Sequence, residues 1–422
     1  MRLHTRRRFL HQTTVGSLLC SIFSQQQDQL RAQNRSSNPY DLVVKGGRVV
    51  DPSQGIAERR DVALSGTKVV KLAPDIPESE AQHVLKAHGK IVTPGLIDIH
   101  VHVYDGVAAL GIPADPNHIA KGVTTVVDAG SSGAVTFPGL KKYVIDVVDT
   151  RVFALLHIAV AGQSPQANGI GELIDIRHAD PARAIKTIEQ NRDVILGVKV
   201  RLSRPLTGDH DLEALALARE AADAVKLPLM VHIGNSYSPL PKILAMLKKG
   251  DVITHSFHGN RNGILDDRGR ILPEVHKAVS SGVNLDVGHG AGSFSFDTAE
   301  KAKAQDLIPG TISSDLHQFN VNGPVFDLAT TLSKFMHLGL SLEQVIERCT
   351  TNPARLFGNL NGLGTLKEGA EADVAVFSLD EGDFEFTDTK GATRIGHRKL
   401  SPVATVKAGK IYGMASIPVV RP

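Results

Sequence analysis

Six side chains that can bind metal ions lie at or near the ends of apolar runs: His100, His102, Lys199, His232, His255 and Asp315. His100 and His102 are separated by one residue, so in a strand both would point to the same side and share one metal. Each residue alone is commonplace, and a lone histidine pair is more often structural than metal-binding. Imidazole and carboxylate groups are nevertheless usual zinc ligands, so the set as a whole predicts a metal centre.

Lys199 interrupts an otherwise apolar strand, Gly197-Val198-Lys199-Val200. A buried ammonium is costly unless it is paired or neutralised, and pairing with a carboxylate is one explanation. The other is carbamylation of Lys199 by carbon dioxide, which gives an anionic group able to bridge two metals.

Eight apolar, β-branched runs predict parallel strands that are buried on both faces: 91–102, 123–129, 152–160, 194–201, 229–233, 252–257, 283–287 and 311–315. Helical patterns lie between several of them, most clearly over 182–190 and over 212–225 with Asp211 as N-cap. Strands that alternate with helices in this way predict an α/β fold, a (β/α)8 TIM barrel. Its chemistry would lie at the carboxyl ends of the strands, where the six side chains are.

The two ends of the chain read as short strands with turns and no long helical period. The simplest arrangement is a small β-sandwich domain that is formed from both chain ends, with the barrel inserted in it. The predicted division is a leader over 1–32, the first β part over 40–93, the barrel over 94–350 and the second β part over 351–415.

The amino terminus predicts export. Paired arginines within Arg6–Arg8 precede Phe9 and an apolar run over 13–23, which is about as long as a signal-peptide core and too short for a membrane span. The pattern resembles the bacterial twin-arginine signal, which implies the export machinery as a partner, cleavage near Ala32 and a periplasmic location. A frayed basic tail is the alternative, and Leu19 before Cys20 disfavours a lipid anchor.

The composition excludes several classes of function. Residues 1–32 hold five Arg and one Asp, so the net charge of +3 becomes −1 without them, and no basic nucleic-acid surface is implied. Trp is absent, which leaves little material for base stacking. Of the two cysteines, Cys20 lies in the leader, so a processed monomer has neither a disulfide nor a cysteine-based zinc site.

The order of the six residues resembles the two-metal, carbamylated-lysine branch of the amidohydrolase superfamily. The resemblance covers roughly residues 40 to 410. It includes the entry motif 93–102 and the exit motifs 351–355 and 369–373. It implies that His100, His102 and Asp315 bind one metal, that His232 and His255 bind the other, and that carbamylated Lys199 binds both.

Two divalent cations, zinc by default, would lower the pKa of a bridging water. The resulting metal-bridging hydroxide would attack an acyl carbon, and one metal would polarise the carbonyl. Asp315 would carry the proton from the hydroxide to the leaving group.

The substrate is less well defined. Dihydroorotases resemble this pattern but usually have Arg where this chain has Tyr104. The segments 197–205, 255–260 with Gly263, and 314–317 look closer to a deacetylase subgroup related to D-aminoacylases. This resemblance implies deacylation of a small-molecule substrate, an N-acyl amino acid or an O-acetyl hydroxy acid. The alternative is a cyclic amide hydrolase of the dihydroorotase or hydantoinase type, and a homo-oligomer is compatible with either.

Two non-enzymatic interpretations remain. A non-catalytic scaffold on the same fold would typically have lost metal ligands, and this chain retains all six. An exported binding protein that captures ligand in a barrel has no positive feature in the sequence.

Residues near the other strand ends are candidates for substrate binding: Arg201, Asn235, His258, Asn260, His289 and His317. Arg201 lies two residues beyond Lys199 and would meet a substrate carboxylate or form a surface salt bridge. His289 is flanked by Gly288 and Gly290, which let the backbone approach a ligand closely. Each of these residues is equally compatible with a role in bracing a loop. His157 reads as a core histidine, and Asp128 as a residue that orients a ligand or a loop.

Overall fold

The computed structural model describes residues 38–360, 362–413 and 419–420. The predicted export leader and Cys20 therefore lie outside the described residues. The strands are β1 Tyr40–Asp51, β2 Ile56–Ser65, β3 Lys68–Ala73, β4 Ala81–Lys86, β5 Ile91–Pro94, β6 Leu96–Val101, β7 Val123–Gly133, β8 Arg151–His157, β9 Ile195–Arg201, β10 Leu229–His232, β11 Val252–Thr254, β12 Asn284–Leu285, β13 Val374–Thr387, β14 Thr393–Lys407, β15 Lys410–Tyr412 and β16 Val419–Val420.

The described α-helices are Ala114–Asn117, Phe137–Leu140, Pro181–Gln190, Arg204–Thr207, Asp211–Val225, Leu240–Leu244, Pro273–Ser280, Phe296–Lys303, Leu328–His337, Leu342–Glu347 and Thr351–Leu356. Asp180 caps the third of these, because its side chain accepts a hydrogen bond from Arg183 N. Asp211 is the first residue of the fifth helix and not its cap, since His210 occupies the cap position. A π-helical turn covers Lys141–Ile145, and short 3₁₀ turns cover Pro52–Gln54, Glu78–Glu80, Ile119–Lys121, Ser164–Asn168, Ile176–His178 and Gly358–Leu360.

The central sheet contains seven parallel strands in the order β12-β11-β10-β9-β8-β7-β6. Each strand pairs with its sequence neighbour, and crossover segments pack outside the sheet. This β-α-β arrangement buries both faces of apolar strands. The carboxyl ends of all seven strands therefore lie on one side of the sheet.

The predicted barrel is not fully formed, because the expected eighth strand over 311–315 is not a strand of this sheet. Single parallel bridges link Thr311 to Asp286 and Leu316 to Val101, on the two edges of the sheet. The seven strands thus curl into an open half-barrel, and eight strands do not close. The segment after Thr311 reaches both edges but carries Asp315 with a φ of 47°, which no regular strand residue adopts.

The first predicted strand, 91–102, divides at Gly95 into β5 and β6. A Cβ on Gly95 would lie 2.2 Å from Thr124 Oγ1, so this close crossing between sheets requires glycine. β5 joins the second sheet, and β6 begins the parallel one.

The second sheet combines strands from both ends of the chain. It has nine strands, and β5 pairs on one side with β1 and on the other with β13. The long hairpin of β13 and β14 extends beyond this sheet, and its turn contacts the segment around Phe294 and Phe296. Residues distant in sequence therefore reach the side of the half-barrel where the strands end.

Candidate metal centre

The strand ends bring the six predicted metal-binding residues together. His100 lies in β6, Lys199 in β9 and His232 at the end of β10, while His102 and His255 each follow the last residue of a strand. Asp315 lies in the irregular segment between the single bridges of Thr311 and Leu316. His100, His102, Lys199, His255 and Asp315 are buried, and His232 is half-buried. All six were identified from sequence because each lies at or near the end of an apolar run.

His100, His102 and Asp315 form the first group. Their ligand atoms all lie within 4.8 Å of one another. Asp315 Oδ1 is 3.4 Å from His100 Nε2 and 3.1 Å from His102 Nε2. This buried oxygen has no hydrogen-bond partner in the described structure, and such an oxygen calls for a cation or a proton.

A relay behind His100 assigns its tautomer. His100 Nδ1 is 2.7 Å from Thr254 Oγ1, and that hydroxyl donates to Asp286 Oδ2 at 2.8 Å. Because the hydroxyl has one hydrogen, Thr254 must accept from His100 Nδ1–H. The lone pair on Nε2 therefore faces Asp315, which is the orientation that a metal ligand needs.

His232 and His255 form the second group. His255 Nδ1 is 2.6 Å from the carbonyl oxygen of Gly288, which can only accept, so the proton is on Nδ1. Ser203 Oγ donates to the Gly234 carbonyl at 2.6 Å and so must accept from His232 Nε2, 2.9 Å away. The two remaining nitrogens, His255 Nε2 and His232 Nδ1, face each other at 2.9 Å.

These facing nitrogens both carry lone pairs in the assigned tautomers. Two lone pairs at this distance repel unless a proton or a metal cation lies between them. Burial lowers the pKa of His255 to about 3 and that of His232 well below its usual value, so protonated imidazolium is disfavoured at neutral pH. The donor set therefore fits divalent cations. The two groups are neighbours, because the ring centroids of His100 in the first group and His255 in the second are 4.9 Å apart.

Lys199 lies close to both groups, because after burial its charge is among the causes that lower the pKa of His100, His232 and His255. Its side chain is fully buried, and Nζ is 3.3 Å from His100 Nε2 and 3.3 Å from Met230 Sδ. Burial lowers the pKa of Lys199 to about 7, against the opposing attraction of Asp315. The side chain makes no salt bridge with a carboxylate in the described part of the chain, so the pairing explanation for its burial does not apply.

Two further buried carboxylates support the ligands, and the sequence analysis gave neither a role. Asp98 accepts from the hydroxyl and the backbone N–H of Ser314 and so fixes the residue before Asp315. Asp286 accepts from Thr254, Thr311 and Ser313. Burial raises the pKa of Asp98 to about 7 and of Asp286 to about 6. Of the two, only Asp98 could have been found from the sequence, because it alternates with His100 and His102 along the first predicted strand.

Gly288 and Gly290 approach the ligands closely. A Cβ on Gly288 would lie 2.3 Å from Thr254 Oγ1 and 2.9 Å from His255 Nδ1, and a Cβ on Gly290 would lie 2.4 Å from Asp315 Oδ2. Both glycines also have positive φ. The backbone between them thus packs directly on the groups that orient the ligands.

Substitution of Gly288 by alanine is therefore expected to lower the free energy of unfolding by about 1–3 kcal/mol, as overpacking does. It should also weaken metal binding about 10–100-fold, because it displaces the partners of His100 and His255. Denaturant unfolding and metal competition would measure the two effects. Gly292→Ala is the matched control, since a Cβ there meets nothing within 4 Å. Equal behaviour of the two variants would refute the requirement for glycine.

Arg201 already faces a carboxylate. Its Nε is 2.6 Å from Glu172 Oε1, and its Nη2 is 3.0 Å from Glu172 Oε2 and 3.0 Å from Gln166 Oε1. The pair is buried, unlike the surface salt bridge considered from sequence. Its role in binding a substrate carboxylate stays a prediction, and Glu172 neutralises much of the charge that this role would use.

The other candidate pocket residues divide by position. His317 packs near His102, with ring centroids 6.3 Å apart, and Phe319 lies against its other side. Asn260 accepts a hydrogen bond from Lys390 Nζ at 2.6 Å. His258 is buried, and its Nε2 has no described partner. Asn235 is exposed and has a φ of 55°.

The described contacts of the His289 side chain are with Gly290, Lys334 and Phe294. Its Nε2 accepts from Lys334 Nζ at 2.8 Å, and its ring stacks on Phe294. Lys334 also donates to the carbonyl oxygens of Pro324 and Thr387, so this pair ties the Gly288–Gly290 backbone to the hairpin. The contact of His289 with the substrate stays a prediction.

Three other residues brace the site. Asp128 accepts from Val103 N and Ser131 N, and the Ser131 hydroxyl lies 2.9 Å from His102 Nδ1. His157 is fully buried, with Nδ1 accepting from Ala159 N at 3.0 Å. Tyr104 is also buried and donates its hydroxyl to the Thr136 carbonyl, so it places no cation beside His102.

Comparisons with known proteins identify relatives along most of the chain. The model of the amidohydrolase family matches residues 91–412. A curated deacetylase of Enterococcus faecalis is 35% identical over 376 residues, covering 88% of this chain and 99% of the relative.

Two solved structures are similar over nearly the whole described chain. A crystal structure titled as an adenine deaminase has a TM-score of 0.82 and 35% identity, and covers 89% of this chain and 100% of that one. A crystal structure titled as a dihydroorotase has a TM-score of 0.81 and 32% identity, and covers 88% of this chain and 97% of that one. The three relatives carry three different activity names, so the comparison identifies the relatives but not one substrate.

Proposed function

Because the chain belongs to the amidohydrolase family, we propose that it is a two-metal hydrolase that removes the acyl group of an N-acyl amino acid or an O-acetyl hydroxy acid. Amide hydrolysis by this family and the deacetylase name of a relative that is matched over 99% of its length support the proposal. The observation that carries the metal part is the pair of facing lone pairs on His232 Nδ1 and His255 Nε2, 2.9 Å apart.

In this proposal His100, His102 and Asp315 hold one divalent cation, and His232 and His255 hold the other. Lys199, carbamylated by carbon dioxide, would be a ligand of both. Zinc is the proposed metal, because it favours neutral imidazole and carboxylate donors. When bound, two such cations would activate a water molecule and polarise the acyl carbonyl at neutral pH.

The chain's own residues then move the proton. Water adds to the acyl carbon, the carbon–nitrogen or carbon–oxygen bond of the acyl group breaks, and a proton passes to the leaving amine or alkoxide. The Asp315 carboxylate, buried next to His100 and His102, is the proposed acceptor and donor of that proton. The Asp315 backbone N–H donates to the His100 carbonyl at 2.7 Å, and the Asn320 side chain donates to the Asp315 carbonyl at 2.7 Å, so the carboxylate is held in place.

The remaining parts of the proposal concern the fold and its setting. We propose that residues 94–350, which include the half-barrel, form one domain and that the second sheet forms a separate β domain over 40–93 and 351–415. Twin-arginine export over residues 1–32 to the periplasm also remains a proposal. Among the described residues, no helix has the length and apolarity needed to cross a bilayer.

A substrate screen tests the function directly. The metal-loaded protein would be offered N-acetyl-D- and N-acetyl-L-amino acids, acetylated hydroxy acids and dihydroorotate. Release of acetate is expected from at least one acylated acid, with no turnover of dihydroorotate, because Tyr104 provides no cation beside His102. Turnover of dihydroorotate alone would reject deacylation and support the cyclic amide alternative.

A further inference from the structure

Positive charge around the metal centre is mostly matched by carboxylates. Arg201 is bound by both oxygens of Glu172. Farther out, Lys301 pairs with Asp297 at 2.8 Å, and Arg270 pairs with Asp266 at 2.8 Å. An anionic substrate would gain little from cations whose charge is already neutralised.

Lys390 differs from these cations. It is exposed, and its Nζ donates to the neutral side-chain oxygen of Asn260 at 2.6 Å. Within the described chain, no carboxylate lies within salt-bridge distance of this ammonium. An ammonium has three donors and a full charge, so the contact with one amide oxygen leaves Lys390 able to bind an anion.

The backbone of Lys390 is held in place at the turn between β13 and β14. Asp388 Oδ1 accepts from Lys390 N at 2.7 Å and from Ala392 N at 2.9 Å, and Asp388 Oδ2 accepts from Phe296 N at 2.9 Å. The turn is thus attached to the segment that follows Gly290. A ligand-binding group on this turn would be preorganised rather than carried by a free loop.

The position of Asn260 relates Lys390 to the metal centre. Asn260 Nδ2 is 3.8 Å from the place of a Cβ on Gly234, two residues beyond His232, and it donates to the Gly292 carbonyl at 3.4 Å. Gly292 lies two residues beyond Gly290, which packs on Asp315. Asn260 therefore lies between the segment that follows His232 and the loop that follows Gly290, which packs on Asp315. Its contact with Lys390 places the ammonium at this rim of the site.

We propose that Lys390 binds the carboxylate of the acylated acid and makes the β13–β14 hairpin part of the substrate pocket. This inference rests on the proposed deacylase function and names a residue that selects its anionic substrates. Lys390 would hold the acid while the acyl group lies over the metal centre. The charge of Lys390 already acts on this rim, since after burial it is the next cause that lowers the pKa of His258.

The test compares a carboxylate with its uncharged analogue. Each enantiomer of N-acetylalanine and of N-acetylalanine amide would be titrated into the metal-loaded full chain by calorimetry, alongside measurement of kcat and KM. The wild-type protein should bind one enantiomer of the acid at least about tenfold more tightly than the amide, as expected for a charged hydrogen bond. Lys390→Met should reduce that preference to within about twofold and raise KM for the acid far more than it lowers kcat. Lys390→Arg, which keeps the charge, should retain most of the preference.

Lys301→Met is the matched control, because it removes a nearby lysine that is paired with Asp297. It should leave the preference for the acid unchanged. Two outcomes would overturn the proposal. In the first, Lys390→Met keeps the preference for the acid, which would point to Arg201. In the second, the substitution weakens the binding of the acid and of the amide equally. If the wild-type protein hydrolyses neither ligand and the preference for the acid is nevertheless lost in Lys390→Met, deacylation of these substrates is rejected and the Lys390 site is retained.

Discussion

Replacement of Lys199 by alanine is expected to reduce acyl hydrolysis by roughly 10³-fold or more and to lower the metal content of the purified protein. Lys199 is fully buried, with Nζ 3.3 Å from His100 Nε2. In the proposed centre its carbamate would be a ligand of both cations, and alanine offers no ligand atom. Elemental analysis and initial rates would measure both effects on the same preparation.

A short carboxylate such as propionate should partly restore activity to Lys199→Ala, because the cavity left by the lysine can hold a replacement anion. Lys45→Met is the matched control. Lys45 is also a buried lysine, but it pairs with Asp61 and Asp75 in the second sheet, so its loss should lower stability and spare the metal. Full activity and unchanged metal content in Lys199→Ala would refute the bridging role.

Replacement of Asp315 by asparagine is expected to lower kcat by roughly 10²–10⁴-fold, the usual contribution of a general acid–base group. Asparagine keeps the shape of the side chain and a ligand oxygen but cannot carry the proton at neutral pH. The variant should therefore retain more metal than Lys199→Ala does. The comparison of kcat with metal content separates proton transfer from metal binding.

Asp297→Asn provides the control for this prediction, since Asp297 is an exposed helix residue that pairs with Lys301. It should show wild-type kcat. If Asp315→Asn instead lost activity only in proportion to its metal, Asp315 would be a ligand and not the proton carrier.

The grouping of these side chains was predictable from sequence because the residues follow a simple rule. His100, His102, Lys199 and His232 lie at or near the ends of apolar runs that form strands of one parallel sheet, and the carboxyl ends of such strands lie on one side of it. The orientation of each ring was not predictable. It depends on acceptors such as the Gly288 carbonyl and the Thr254 hydroxyl, which belong to other strand ends.

The irregular parts of the site escaped prediction for physical reasons. The run at 311–315 is apolar like a strand, yet Asp315 adopts a positive φ, and only single bridges form on either side. Arg201 finds Glu172, 29 residues earlier on a loop, and no periodicity encodes such a contact. Lys390 and Asn260 are separated by 130 residues and meet only because the hairpin crosses from the second sheet.

Counting the metal ions bound to the purified wild-type chain tests the central claim most directly. The facing nitrogens of His232 and His255 and the unpartnered Asp315 Oδ1 predict two divalent ions per chain. Removal of the ions by a chelator should abolish acyl hydrolysis, and zinc with bicarbonate should restore both the ions and the activity. Undiminished hydrolysis by a chain that holds one ion or none would contradict the two-metal account.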